Sequence, residues 1–213
     1  MIANYTLLLA ERFRPKLDEQ TDKYIAYSVD GAVRMQALMQ HLLKFSRVGR
    51  AEIELRTTDC RAVVEHALTN LQAAVLESKA TARWDSLPVV MADPSQLTLV
   101  FQDLIANAIK FHRPKPPVIQ IEAEKKDHEW VFTLSHNGIG IPAENWQDIF
   151  VIFRGLRTRD EYAGNGIGLS ICKNIIERHG RKIWIKAQAN PGTSFRFTLL
   201  PELLLKAPQE AQA

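Results

Sequence analysis

Asp103, Asn107 and Lys110 fall at i, i+4 and i+7, so on an α-helix they share one stripe of surface. A carboxylate, a neutral amide oxygen and a cation in a row suit a hydrated metal ion held beside phosphate oxygens. A solvated polar helix face gives the same pattern. Two glycine segments downstream favour the chemical reading. His136-Asn137-Gly138-Ile139-Gly140-Ile141-Pro142 directly follows a strand pattern, and Gly164-Asn165-Gly166-Ile167-Gly168-Leu169 opens a helix pattern. Alternating glycines let backbone approach a ligand closely and adopt positive φ. Amides at a helix N-terminus hold anions. The spacing is neither the dinucleotide fingerprint nor the P-loop. Either segment alone reads as a turn; with the polar stripe they make a candidate phosphate site.

The stripe belongs to Gln96–Arg113, where Leu97, Val100, Phe101, Leu104, Ile105, Ala108 and Ile109 keep the i, i+3, i+4 rhythm of an amphipathic helix. Asp93-Pro94 supplies an N-cap and a first-turn proline, and Arg113-Pro114 stops the helix. Strands are expected at Glu52–Arg56, Ala82–Asp85, Pro88–Met91, Val118–Glu124, Trp130–Ser135, Ile183–Ala187 and Ser194–Leu199. One helix should run from an Asp59 cap to about Ser78, and another over Ile167–His179, closed by Gly180. Helices and strand groups alternate, which predicts an α+β sandwich with helices on one face of a mixed sheet.

Ahead of this lies a helical region. Ile2, Tyr5, Leu8, Leu9 and Phe13 line one helix that Pro15 ends, and Lys16–Thr21 reads as a turn. Ile25, Val29, Ala32, Met35, Met39, Leu42 and Leu43 form a near-heptad seam on a second helix, about Asp22 to Ser46. Two antiparallel helices this small cannot bury both stripes, so a second copy is expected to complete a four-helix bundle through residues 2–46. Arg47–Arg50 reads as a linker. The expected domains are therefore a helical hairpin at 1–50, an α/β domain at 51–205 and a flexible tail at 206–213.

The 213 residues are 46% hydrophobic and 24% charged, ordinary for a globular protein. A net charge of +3 is too small to argue for nucleic acid, and none is expected as a partner. No apolar run is long enough to span a membrane, and the N-terminus lacks a signal-peptide pattern. Cys60 and Cys172 lie in helical patterns without metal-ligand spacing. They read as small buried hydrophobes, which fits a reducing, cytoplasmic setting.

With these motifs in order, the chain resembles the core of a sensor histidine kinase of two-component signalling, closest to kinases that follow PAS or phytochrome sensors. Asp103–Phe111 resembles the N box, His136–Ile141 the G1 box, Ile149–Phe153 the F box and Gly164–Leu169 the G2 box; Gly192–Phe195 matches the closing strand motif. These boxes mark the GHKL (Bergerat) ATPase fold shared with gyrase and the Hsp90 chaperone. Leu42–Val48 resembles the dimerisation domain.

The resemblance implies ATP and Mg²⁺ as cofactors, with phosphate passing to a histidine and then to a response-regulator aspartate, and an upstream sensor domain as a further partner. Asn107 would ligate Mg²⁺, Lys110 would contact phosphate, and Phe111 would line the nucleotide site. Gly138 and Gly140 would shape the adenine pocket, and Ile141, Ile167 and Thr193 would also belong to the nucleotide site. Gly164, Gly166, Gly168 and Leu169 would wrap the phosphates, and Arg154–Ala163 would be the mobile ATP lid.

Three departures matter. The family's acceptor histidine lies early in the first hairpin helix within a His-Asp/Glu pair, and none of the six histidines takes that place, so this chain is expected not to autophosphorylate. His41, on the second hairpin helix, reads as an ordinary surface histidine; His66, His112, His128 and His179 have no partners at ligand spacing. His136 stands where the G1 box begins with an aspartate that accepts from the adenine amino group. A neutral imidazole can accept on one nitrogen and an imidazolium on none, so weak ATP binding is expected. Asp103, often asparagine in this family, is the candidate base, since gyrase-like relatives carry a water-activating glutamate there. The alternatives to a kinase core are a non-catalytic dimeric adaptor and a weak stand-alone ATPase.

Overall fold

The computed structural model describes residues 2–13, 18–50, 52–152, 167–187 and 192–202. The chain divides into two compact units, Met1–Arg47 and Val48–Ala213.

The first unit holds α1 (Ile2–Phe13) and most of α2 (Glu19–Arg50). Helix α2 starts earlier than the expected Asp22 because Asp18 caps it. The Asp18 carboxylate accepts from the Thr21 amide at 2.7 Å and from the Thr21 hydroxyl. These bonds favour the ionised form and lower the Asp18 pKa. Helix α2 also runs through Arg47–Arg50, the stretch expected as a linker. Only Gly49 opposes it there, at about 1 kcal/mol relative to alanine, and no proline intervenes. On α2, Ile25, Val29 and Ala32 are half-buried while Met35, Met39 and Leu43 are exposed. The side chains of His41 and Leu42 lie outside the described residues.

Among its described residues the second unit forms a seven-stranded mixed sheet. The strands are β1 (Arg56–Asp59), β2 (Thr81–Trp84), β3 (Val89–Ala92), β4 (Val118–Lys126), β5 (Glu129–His136), β6 (Ile183–Lys186) and β7 (Thr193–Pro201). Their order is β1-β3-β7-β5-β4-β2, with β6 also on β7. Only β2 and β4 pair in parallel. β7 meets β5 along Thr193–Leu199; its other edge takes β6 at Ser194–Phe197 and β3 at Leu200–Pro201.

Helices α3 (Cys60–Asn70), α4 (Gln72–Ser78), α5 (Pro94–Lys110) and α6 (Gly168–Arg178) complete the unit, with α3 and α6 both packing on α5. Phe101 of α5 meets Phe132 of β5 edge-on at 6.1 Å and Phe197 of β7 at 5.6 Å; the two strand rings stack at 5.0 Å. All three are fully buried, each contributing about 2 kcal/mol from removal of apolar surface from water. This is the helix layer on a mixed sheet that the alternation of elements implies.

Two expectations need correction. The strand placed at Glu52–Arg56 begins at Arg56, because the ladder with β3 starts at Arg56↔Ala92; upstream, the Glu54 amide donates to the Asp93 carboxylate at 3.4 Å instead. The single helix from Asp59 to Ser78 is two. Leu71 leaves the helical region at φ −104°, ψ 10°, and its amide turns back to Leu68 and Thr69. Asp59 does cap α3, accepting from the Arg61 amide.

Candidate functional site

Helix α5 is the platform. Asp93 precedes it, and its Oδ1 accepts from the Ser95 and Gln96 amides, each at 3.0 Å. Leu97, Val100, Phe101, Leu104, Ile105 and Ala108 are buried, which turns Asp103, Asn107 and Lys110 to a half-buried face. Burial lowers the Lys110 pKa, and its ammonium stands 5.0 Å from the centre of the Phe111 ring.

The first glycine segment is tied to the end of this helix. The Phe111 carbonyl, one residue past α5, accepts from the Ile139 amide at 3.0 Å. A side chain on Gly138 would put its Cβ 2.4 Å from that carbonyl oxygen and 2.6 Å from His136 Nδ1. Only glycine fits. Gly140 has φ +82°, and a Cβ there would lie 3.2 Å from the Gly192 carbonyl oxygen. The segment thus threads between the end of α5 and the turn that precedes β7. Asn137 anchors it from below: its Oδ1 accepts from the Val118 amide at 2.9 Å and its Nδ2 donates to the Pro116 carbonyl at 3.1 Å. Sequence reasoning did not single out this anchor.

A cavity of about 320 Å³ opens beside the segment, lined by Ile141, Pro142, Trp146, Ile185 and Thr193 among others. Of the sequence-derived site residues it brings together Gly140, Ile141 and Thr193. Asn107, Lys110, Phe111, His136 and Gly138 are not in its wall; the Ile139–Phe111 backbone bond joins the end of α5 to the segment that lines it. A larger cavity of about 650 Å³ between α3 and α5 holds none of the site residues.

The second glycine segment is described from Ile167 onward. Gly164, Gly166, Phe153 of the F box and the expected lid at Arg154–Ala163 lie outside the described residues. Ile167 is buried and gives no side-chain cap to α6. Gly168 lies against α5: a Cβ on it would be 3.8 Å from the Asp103 carboxylate. This arrangement fits a Mg-nucleotide. Asn107 offers a hard oxygen, Lys110 a cation, and the start of α6 amides for phosphate. Among the described residues no group of three or more His, Cys, Asp or Glu could hold a metal without such a ligand.

His136 ends β5, opposite Ile119 of β4 and Thr193 of β7. Its ring lies nearly parallel to Phe195 at 6.4 Å and is 6% exposed. Burial pushes its pKa down to about 4, so the ring is neutral. Nδ1 accepts from the Gly138 amide at 3.2 Å. The one acceptor that a neutral imidazole possesses is therefore used inside the loop, and Nε2 carries the proton.

His179, read from sequence as partnerless, is a structural junction. Its Nε2 accepts from the Asp93 amide at 3.0 Å and its Nδ1 donates to the Ile175 carbonyl at 2.8 Å. With Cys172 Sγ at 3.8 Å from the Val100 carbonyl and Gly168 against Asp103, three contacts run down the antiparallel α5–α6 pair.

Residues 92–203 match the family model described as histidine kinase-, DNA gyrase B-, and HSP90-like ATPase. The chain is 43% identical over 198 residues to Cyanobacterial phytochrome A of Nostoc sp., covering 93% of this chain and 26% of that protein. It therefore spans about a quarter of the relative's length. Solved structures with this fold include full-length ShkA in complex with AMPPNP (TM-score 0.66, 20% identity, 93% of this chain and 46% of that one). They also include ThkA in complex with the response regulator protein TrrA (TM-score 0.66, 23% identity, 92% and 56%). Among the described residues no helix is long and apolar enough to cross a membrane. The boxed motifs, the sheet order and these matches agree: the chain belongs to the histidine kinase-, DNA gyrase B- and HSP90-like ATPase family, as a GHKL-type core of the sensor histidine kinase kind.

Proposed function

We propose that the Val48–Ala213 unit binds a Mg-nucleoside triphosphate, with ATP the family's donor, and supplies the phosphoryl group for a histidine and then a response-regulator aspartate. The observation that carries this is the joint between α5 and the first glycine segment. The Ile139–Phe111 backbone bond and the missing Gly138 side chain tie the end of α5, the helix that carries the polar stripe, to the segment that lines a cavity with Gly140 and Gly192 in its wall. When bound, Mg²⁺ would neutralise developing charge on the phosphates. Asn107 would hold it through its amide oxygen, Lys110 would offset phosphate charge, and the leading amides of α6 would orient the chain of phosphates. Phe111, Ile141 and Thr193 would border the base.

The phosphate acceptor is not among the six histidines, none of which lies in the family's acceptor position. Residues 1–50 would act as the dimerisation hairpin; the exposed Met35, Met39 and Leu43, four residues apart on α2, support a second copy as its partner. The TrrA complex of ThkA supports a response regulator as the downstream partner.

Calorimetric titration with Mg-nucleotides tests the reading, with Asn107→Ala as the control. Saturable binding that the substitution removes is expected; binding unchanged in Asn107→Ala would overturn the site assignment. Incubation with γ-labelled ATP is expected to leave the 213-residue chain without acid-labile label, and such a label on His41 would contradict the acceptor reading.

A further inference from the structure

The cavity of about 320 Å³ beside the first glycine segment has a wall chemistry of its own. It leaves out Asn107 and Lys110, the metal ligand and the cation of the nucleotide reading, and adjoins that site through Gly140, Ile141 and Thr193. Ile139, Ile141, Pro142 and Ile185 give it apolar sides. Trp146 is the one aromatic residue among the described residues of the wall. Its indole N–H donates to the Ile141 carbonyl at 2.9 Å, so the ring is held in place and has no donor left for a ligand. What it offers is aromatic surface. A wall of this kind takes a flat apolar body, and a volume at the lower end for small-molecule pockets holds about one or two rings.

Two polar side chains complete the wall. Lys186 is exposed, is the only charged residue among the described residues of the wall, and has no described carboxylate paired with it. Thr193 is 3% exposed, and no described residue hydrogen-bonds its hydroxyl. Buried hydroxyls are seldom left so. The two lie together at one end of the β6–β7 ladder, where Lys186 is opposite Ser194, the residue after Thr193. The wall thus carries one positive charge, one unclaimed hydroxyl and no negative charge. Two donors, one of them charged, suit the two oxygens of a carboxylate. We propose that this cavity binds a small aromatic carboxylate, with its ring against Trp146 and its anion toward Lys186 and Thr193.

The test is an ¹H–¹⁵N NMR titration of the 213-residue chain with 2-naphthoate and with 2-naphthamide, which has the same rings and no charge. Nucleotide is left out, so the outcome is independent of the nucleotide reading. 2-Naphthoate should bind saturably and shift the Trp146 indole signal, identified by its loss in Trp146→Phe. It should bind at least about tenfold tighter than 2-naphthamide, the worth of one charge-assisted hydrogen bond. Lys186→Gln, a change at an exposed side chain, should bring the two probes close to equal affinity. Thr193→Val keeps the shape without the hydroxyl and should narrow the gap. The proposal is overturned by no saturable binding to the folded wild type, by equal affinity for the two probes, or by a Trp146 signal that does not move. A preference for 2-naphthoate that survives either substitution unchanged overturns it as well, and Lys186→Gln alone decides should Thr193→Val not fold.

Discussion

His179 Nε2 accepts a hydrogen bond from the Asp93 backbone amide at 3.0 Å across 86 residues of sequence. Asp93 in turn caps α5 and receives the Glu54 amide. One buried residue therefore ties the start of α5, the end of α6 and the segment leading into β1.

His179→Ala should cost about 1–3 kcal/mol of stability, because the Asp93 amide loses its buried acceptor. His179→Gln can place an oxygen near Nε2 and should recover part of the loss. The pH dependence separates the two roles. Burial is the main cause of the lowered His179 pKa; the Ile175 carbonyl and the Asp93 carboxylate act against it, and the Arg178 guanidinium adds to it. A base whose folded pKa lies below its unfolded 6.5 gives stability that is complete above that pH. The stability is lost as pH falls towards the folded value. Thermal melts of wild type should therefore fall more steeply below about pH 6.5 than those of His179→Gln. His136 contributes in the same direction in both proteins, so the difference isolates His179. Parallel pH profiles would refute the acceptor role.

Gly138→Ala should be far more damaging than Gly168→Ala. The first would force a methyl group to 2.4 Å from the Phe111 carbonyl, where backbone must move; the second gives ordinary contact at 3.8 Å from Asp103. Overpacking of the first kind costs about 1–3 kcal/mol or more. Denaturant midpoints for the two variants, alongside Mg-nucleotide affinity, check the contrast. Equal stability in both would mean that the loop is looser than its backbone bonds imply.

Asp103→Asn distinguishes a phosphoryl-transfer platform from a stand-alone ATPase. If Asp103 serves as a base for water, a nucleotidase rate should drop by about 10²-fold or more on removal of its charge, with Mg-nucleotide affinity little changed. A rate that survives the substitution excludes that role.

Met39→Glu should weaken self-association by placing a charge on the exposed seam of α2. Sedimentation at micromolar concentration reads it directly. A monomeric wild type would remove the proposed four-helix bundle.

Much of the Val48–Ala213 unit was legible from local rules, and most of the misses have a common cause. α5 declared itself through apolar periodicity, the Asp93 cap and Pro94. The closing glycine of α6 was equally plain, with Gly180 at φ +72°. Leu71 carries no breaker residue, so the split between α3 and α4 was invisible. The alternation in Glu52–Arg56 suggested a strand, yet Leu55 is exposed and pairing starts one residue later. Asp93 could be read as a cap, but not as the partner of His179, because nothing local links positions so far apart. The state of His136 was hidden for a different reason: it depends on which way the Gly138 amide points, a property of the folded loop alone.

β7 has a consequence for how the protein is made. β1 and β3 lie to one side of it, and β5, β4 and β2 to the other; among the described residues no other strand joins these two groups. A chain leaving the ribosome N-terminus first completes both fragments before Thr193–Pro201 is available to bridge them. Until then the inner edges of β3 and β5 lack their neighbour, an arrangement that invites pairing with other chains. Thr193, which faces His136, arrives on the same late strand. The nascent protein should thus be blind to nucleotide until the sheet closes, and nucleotide should protect only finished chains from aggregation.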